Sequence, residues 1–428
     1  MTRLISFYGD DFTGSTDVME SLGLHGIETV LFTRIPTALE FAPFSQFPGV
    51  GLAGSSRSQS PAWMNAHLPP LFEWLRSLDA KFNHYKVCST FDSSPNVGNI
   101  GRAIEIGAKV FNQSMIPLLV GAPQLKRYTF AGHLFAAYQG QVHRIDRHPV
   151  MARHPVTPMD EADLRLHLAR QTNMPISLAG DGWPDHGIGL LDVHDMASQL
   201  SAGQKLLALH HDLSLFIAGS SGVEYALARA MAAASDPQLR TLAFEPLQPC
   251  AQTIVVSGSV SPTTERQIRQ AQLQGFEALP VSAMALASDD DGQLQQRCVD
   301  SALMVLGTGR SPLIHTALGS ASDAGHELNT IPDARQKIGE RLGQILRQLL
   351  EKTNIRRAII AGGDSSSHAV LQLDVHALTL RRPIRETPGS PMCMTHSSNA
   401  ELNGIELALK GGQLGSDTYF ADLRDARI

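Results

Sequence analysis

Short apolar runs rich in β-branched residues alternate with amphipathic stretches along nearly the whole chain, and this alternation limits the fold more than any other property of the sequence. A short run bounded by turn residues suits a buried strand, whereas apolar positions recurring every three to four residues suit a helix. Strands are predicted over 4–8, 29–32, 50–53, 84–88, 116–120, 188–193 and 213–218, and helices over 100–111, 160–171 and 223–234. Such alternation leads to parallel sheets covered by helices on both faces, so the expected class is α/β.

A polar, proline-rich stretch, from Asp236-Pro237 to Pro246-Leu247-Gln248-Pro249, interrupts the pattern and reads as a linker. The pattern then resumes with a strand over 253–256, a helix from Pro262, a strand over 302–305, a long helix over 331–350 and a strand over 358–361. A chain of 428 residues exceeds one common domain size, so two three-layer α/β/α domains are expected, 1–245 and 253–428. Hydrophobic residues at 43% and charged residues at 18% are ordinary for globular domains. A formal charge of −6 argues against a nucleic-acid binder, which usually carries a basic stripe. Cys88, Cys250, Cys298 and Cys393 lie far apart with no CxxC pair, which suits reduced thiols in a cytoplasmic protein. No long uninterrupted apolar run suggests a membrane span, and Asp10-Asp11 arrives before a signal-length apolar segment can form.

In open α/β sheets, ligands bind at the carboxyl ends of strands, where loops lead into helix N-termini. The first such junction is Gly9-Asp10-Asp11-Phe12-Thr13-Gly14. Its two carboxylates can accept bonds from sugar hydroxyls, bind Mg²⁺ or act as a base, while Thr13 and the amides near Gly14 can hold an anion. An acidic box that merely caps a helix would use the same residues. The second junction runs from Lys86 through Cys88-Ser89-Thr90-Phe91-Asp92 to Asn99. Lys86 can neutralise a carboxylate or phosphate, Asp92 can take a proton from an attacking hydroxyl, and Asn99 can cap the next helix, although Asp-Ser-Ser-Pro is also ordinary turn chemistry. Arg57 can clamp a carboxylate through two bonds. Ser220 and Ser221 in Gly219-Ser220-Ser221-Gly222 suit an anion or a polyol, or simply a tight turn. The basic stretch His143 to His154 reads first as a solvated loop and second as an anionic-substrate contact.

In the second half, Ser257-Gly258-Ser259 is followed by Ser261 as helix cap and Pro262 at the first helical position. Gly307-Thr308-Gly309 and Gly362-Gly363-Asp364-Ser365 repeat the strand-then-glycine arrangement, and Lys410-Gly411-Gly412 closes the series. Each is weak alone, but together they favour a nucleotide cradle whose backbone amides approach phosphate closely. There is no GxxxxGK[ST], GxGxxG or GxSxG, which excludes a P-loop, a dinucleotide fingerprint and a serine-hydrolase elbow.

Taken in order, the blocks Asp10-Asp11-Phe12-Thr13-Gly14, Lys86 to Ser93 with Gly98-Asn99-Ile100-Gly101, Ala122-Pro123, His154-Pro155-Val156-Thr157-Pro158-Met159, Ser257-Gly258-Ser259, Gly362-Gly363, Pro388-Gly389-Ser390-Pro391 and Leu409-Lys410-Gly411-Gly412 resemble the four-carbon acid sugar kinase family from end to end. The resemblance implies an N-terminal acid-sugar domain and a C-terminal ATP domain across a cleft. It implies ATP contacts at Ser257, Gly258, Ser259, Gly362, Gly363, Asp364, Ser365 and Gly412, with Mg²⁺ accompanying the nucleotide. The junctions themselves supply the expected acid-sugar contacts, Asp10, Thr13, Gly14, Arg57, Lys86, Thr90, Asn99, His154, Ser220 and Ser221. The Cys-Ser-Thr-Phe-Asp-Ser form is similar to 3-oxo-tetronate kinases. The loop between Asp92 and Asn99 is one residue longer than that pattern, which makes a branched acid such as 3-oxo-isoapionate the competing substrate.

The expected reaction is in-line transfer of the γ-phosphate of ATP to a terminal hydroxyl, with Asp92 or Asp11 as base and Lys86 and Arg57 on the substrate carboxylate. The expected partner is a small acid sugar, with homo-oligomerisation left open. An oxidoreductase or a non-catalytic sugar-acid binding protein is the rival class.

Overall fold

The computed structural model describes residues 3–428 except Pro155, Asp181, Asn329 and residues 210–213, 237–238, 240 and 320–324; the side chains of His326 and Asp364 also lie outside what is described. The chain divides into two compact units, the first comprising Met1–Val30 and Ile35–Leu242, the second Leu31–Arg34 and Ala243–Ile428.

In the first unit, β1 (Arg3–Gly9) leads into α1 (Phe12–Leu24) and then β2 (Thr29–Phe32), β3 (Gly49–Ala53), α2 (Pro61–Ser77), β4 (Ala80–Lys86), α3 (Ile100–Val110) and β5 (Met115–Leu119). Three further strands, β6 (Arg127–Phe130), β7 (His133–Tyr138) and β8 (Gln141–Arg144), form a separate antiparallel sheet. After it come β9 (Ile176–Leu178), β10 (Gly187–Leu191), β11 (Leu215–Gly219) and α4 (Gly222–Ala233). The main sheet has the order β2-β3-β1-β4-β11-β5-β10-β9. From β3 to β9 every pairing is parallel. Its central strands are buried throughout, as continuous apolar runs on a doubly covered sheet should be.

The second unit contains β12 (Ile254–Ser257), α5 (Pro262–Gln272), β13 (Phe276–Pro280), β14 (Ser311–His315), α6 (Ala334–Lys352), β15 (Arg357–Ala361), α7 (Gly363–Val370), β16 (Ala377–Arg382), β17 (Met392–His396) and β18 (Glu406–Lys410). The order is β13-β14-β12-β15-β18-β17-β16. The first five strands are parallel and the last two pairings antiparallel. Residues 31–34 count with this unit: Thr33 donates from its amide to the His376 carbonyl (3.1 Å) and from its hydroxyl to that of Val375 (2.6 Å).

Most predicted elements form within a residue or two of their expected places. The strand predicted over 302–305 does not: those residues lie inside the helix Gln293–Gly307. Gln295, Cys298, Val299 and Ala302 are its buried positions, and that spacing of three, one and three is helical, whereas a four-residue apolar run cannot separate the two states. The Gly307-Thr308-Gly309 turn therefore precedes β14 instead of following a strand, at the opposite edge of the sheet from the other glycine turns. The helix predicted over 160–171 is reduced to Leu164–Ala169, and the basic stretch predicted as a loop begins inside β8. Leu213, the start of one predicted strand, lies outside the described residues.

The proline-rich stretch is fastened to the second unit by three arginines. Arg357 donates to the Gln248 carbonyl (2.9 Å), Arg381 to that of Glu245 (2.7 Å) and Arg382 to that of Phe244 (2.9 Å), while Leu247 packs into the core with Val255, Ile359 and Phe420. Arg357 is buried and also grips Glu406 through Nε (2.8 Å) and the Leu423 carbonyl through Nη1 (2.6 Å). Glu406 also holds Arg381 Nε at 3.2 Å from its Oε1, so loss of Arg357 leaves that carboxylate one partner and chiefly frees the Gln248 and Leu423 carbonyls, at roughly 1–3 kcal/mol for buried groups left unpaired. Arg357→Met should thus lower the stability of the chain by about 2 kcal/mol, read as a lower midpoint in urea unfolding; an unchanged midpoint would show that Arg381 and the freed carbonyls need no Arg357.

Candidate active site

Hydrogen bonding continues one step past the ends of the first unit's parallel strands, and this draws four loops together. The Asp10 amide donates to the Lys86 carbonyl (2.9 Å), Gly54 to Gly9 (2.9 Å), Arg57 to Asp10 (3.1 Å), Val87 to Gly219 (2.7 Å) and Ser220 to Leu119 (2.9 Å). The loops after β1, β3, β4 and β11 are thereby fixed at one edge of the sheet.

The two adjacent aspartates have different duties. Asp11 caps α1: its Oδ1 accepts from the Gly14 amide (2.8 Å), and its Oδ2 accepts from Thr13 Oγ1 (2.7 Å) and Arg57 Nη1 (2.9 Å). Both oxygens are occupied by the fold. Asp10 is 3% exposed, and its Oδ1 has no partner among the described residues. Its Oδ2 stands 3.5 Å from Arg57 Nε. Burial pushes the Asp10 carboxyl up to about 7, with Arg57 pulling the other way and the Asp11 and Asp92 charges adding to the rise. Arg57 Nη2 is also buried, with no hydrogen-bond partner among the described residues.

Asp92 is buried too, yet its carboxyl is held below the ordinary range. Burial alone would raise it, but Arg57, His154 and a hydrogen bond from Thr90 outweigh that cost. Thr90 Oγ1 lies 2.5 Å from Asp92 Oδ1, and Thr157 Oγ1 lies 3.5 Å from Oδ2. His154 enters through Thr157, whose amide donates to its Nδ1 (3.1 Å), so this residue of the basic stretch faces the site; neighbouring Pro155 lies outside the described residues. Lys86, expected on the substrate carboxylate, is 2% exposed, and its Nζ faces Asp17 Oδ2 at 3.7 Å as an internal ion pair.

Asn99 serves the cap: its Oδ1 accepts from the Arg102 amide (2.6 Å) and its Nδ2 donates to the Pro95 carbonyl (3.0 Å). Ser220 is used in its own turn, bonding the Val120 carbonyl (2.7 Å) and the Gly222 amide (2.9 Å), whereas the Ser221 hydroxyl is buried beside Asp17. Sequence reading passed over Thr157, Asp17 and the support beneath Asp92, where Ser93 Oγ meets His167 Nε2 (2.9 Å) and Gln171 Nε2 (2.8 Å).

The second unit repeats the construction with glycine. β12, β15 and β18 are neighbours, and the loops that follow them are stitched together: the Gly258 amide donates to the Ala361 carbonyl (3.1 Å) and the Gly362 amide to that of Lys410 (2.8 Å). A Cβ on Gly258 would sit 2.0 Å from Ser365 Oγ, which no side chain there permits, and Gly362 holds φ +119°, open to glycine alone. A Cβ on Gly412 would reach 2.8 Å from Ser259 Oγ. Ser261 caps α5 by accepting from the Thr263 amide (3.2 Å). Ser257, Gly258, Ser259, Gly362, Gly363, Ser365 and Gly412 thus lie on adjoining loops with short side chains; the Gly258, Ser259 and Gly362 amides are bonded within the fold, and the first-turn amides of α7 are what an anion could meet. The backbone of Asp364 lies at the start of α7; its side chain is outside the described residues.

One residue here went unremarked in the sequence. Lys410 ends β18 fully buried, and its Nζ lies 3.0 Å from the Gly411 carbonyl, 3.2 Å from Thr264 Oγ1, 3.3 Å from the Leu414 carbonyl and 3.4 Å from that of Gly412. A lysine closing a buried strand was the available signal, since lysine is almost never fully buried without a partner. Among the described residues no three His, Cys, Asp or Glu side chains gather as a metal site, and no helix is long and apolar enough to cross a membrane.

Comparison with known proteins agrees with this division. Residues 5–227 match the family model of a sugar-binding N-terminal domain, and residues 254–420 that of a nucleotide-binding C-terminal domain. A Paraburkholderia graminis 3-oxo-isoapionate kinase is 40% identical, over 99% of this chain and 95% of its own. A Pseudomonas savastanoi 3-oxo-tetronate kinase is 29% identical, over 98% and 96%. A solved structure from Salmonella typhimurium LT2, 22% identical, shares the fold with a TM-score of 0.74 over 97% of this chain and 98% of that one. The matching domains, the order of the motifs and the full-length identity establish that this chain belongs to the four-carbon acid sugar kinase family.

Proposed function

We propose that the protein is an ATP-dependent kinase that phosphorylates the terminal hydroxyl of 3-oxo-isoapionate or a closely similar acid sugar. The observation that carries this reading is the 40% identity, end to end, to an enzyme of that name, against 29% for a 3-oxo-tetronate kinase. The longer loop between Asp92 and Asn99 supports the branched acid.

In the proposed mechanism, Arg57 meets the acid's carboxylate through its unpartnered Nη2, a charge-assisted bond in a buried setting. Asp92 stays ionised and orients the hydroxyl, with Thr90 and Thr157 fixing its oxygens. Asp10, with a free oxygen and a carboxyl near neutrality, is the better proton acceptor, and Asp11 maintains the loop as cap. The hydroxyl oxygen bonds to the γ-phosphorus, the bond to the bridging oxygen of ADP breaks, and the hydroxyl proton passes to Asp10. Ser257–Ser259, Gly362–Ser365 and Gly412 position the phosphates. Mg²⁺ commonly rests on substrate phosphates with one or two carboxylates, and it would supply charge neutralisation there.

A coupled ADP-release assay over 3-oxo-isoapionate, 3-oxo-tetronates, threonate and erythronate tests the activity. The expected result is the highest kcat/KM for 3-oxo-isoapionate, and ADP release with none of these acids would sink the kinase reading in favour of a binding protein or another chemistry. The base assignment has its own test. An acceptor near neutrality is protonated below pH 7, so kcat/KM should fall on the acid side with a limb near pH 7. Asp10→Asn should lower kcat by roughly 10²-fold or more and abolish that limb. If the limb persists in Asp10→Asn but vanishes in Asp92→Asn, the role passes to Asp92.

A further inference from the structure

We propose that Lys410 is a positioning residue for the nucleotide phosphates, its buried ammonium tying the turn at 411–414 to Thr264 of α5 and supplying a positive charge that a bound anion balances. This rests on the reading that the second unit binds ATP. Three observations lead to it. The ammonium faces only neutral oxygen, the hydroxyl of Thr264 from α5 and the carbonyls of Gly411, Gly412 and Leu414 from the turn, with no carboxylate beside it among the described residues. Thr264 Oγ1 also lies 2.9 Å from Ser259 Oγ and 3.0 Å from the Gly412 carbonyl, so one hydroxyl joins the lysine to two of the phosphate loops. And the turn it holds comes within a methyl group of Ser259.

An isolated charge taken out of water is costly, and carbonyl dipoles offset only part of that cost. Burial accordingly drives the Lys410 amine down to about 7. An anion arriving on the neighbouring loops favours the charged form, so nucleotide binding and protonation of Lys410 must assist each other by linkage. The sign is definite. Above pH 7 the empty protein has largely lost this proton, and binding restores it. Affinity for nucleotide therefore falls as pH rises through the slightly alkaline range. The stability of the empty protein moves the other way, because the cost of burying the charge fades as pH rises from about 7 towards the unfolded value of 10.5.

The test is isothermal titration of the full chain with ADP at pH 8.5, where phosphate groups are already fully ionised, in buffers of differing ionisation enthalpy. The expected result is uptake of a fraction of a proton per ADP bound and a Kd that rises several-fold between pH 7 and 9. Lys410→Met should weaken ADP binding by about tenfold, raise KM for ATP more than it lowers kcat, and remove the proton uptake. Thr264→Val, a milder change that cuts the tie to α5, should weaken ADP binding while leaving the proton uptake in place. Should Lys410→Met not fold, the wild-type titration decides alone: ADP that binds with no proton uptake and a pH-independent Kd overturns the role of Lys410. ADP that does not bind at all overturns the nucleotide reading with it.

Discussion

Arg57 is the charge around which the first unit's loops are organised. Its Nη1 is bonded to Asp11, its Nε faces Asp10, and its charge helps hold the Asp92 carboxyl low. Three buried carboxylates near one guanidinium leave more negative charge than it can neutralise, and their differing surroundings resolve the excess. Asp11 receives hydrogen bonds from the helix start, Asp92 has Thr90 and the nearby His154, and Asp10 has neither. One carboxyl of the three is thereby left close to neutrality, which is where a proton acceptor is useful. The same residue type, differently supported, gives one helix cap, one carboxylate held low and one carboxyl held near neutrality.

The second unit, which matches a nucleotide-binding domain, is built with different means. A polyphosphate needs amides, not carboxylates, and amides are reached only where side chains are absent. Gly258 admits Ser365, Gly362 adopts a backbone that other residues avoid, and Gly412 comes up against Ser259. Lys410 lies buried beneath this surface, where its ammonium meets Thr264 and the carbonyls of the 411–414 turn.

Much of this was legible in the chain. Apolar runs ending in Gly, Asp or Ser marked the strand termini correctly because a buried parallel strand must be apolar on both faces and its loop must turn at once. The differing fates of Asp10 and Asp11 were not legible, since two identical neighbours are distinguished only by where the backbone aims each side chain. The pairing of Lys86 with Asp17 of α1 was not legible either, since it depends on how β4 lies beside β1. The segment 302–305 was misread for lack of length, and the antiparallel sheet of β6–β8 for lack of strong apolar runs: β8 is mostly exposed. Lys410 stood in a quoted motif, but its glycines drew the attention that belonged to the lysine.

The four residues Leu31–Arg34 have an evolutionary corollary. They leave the first unit, bond through Thr33 to Val375 and His376, and return. A shorter gene starting at the proline-rich stretch would encode a second unit missing a piece of itself, and one ending there would encode a first unit with an orphaned loop. The two halves, though each is recognisable as a module, cannot be shuffled between genes by a single crossover. Recombination would have to carry the small early segment along with its distant companion, which favours inheritance of the pair as one indivisible reading frame.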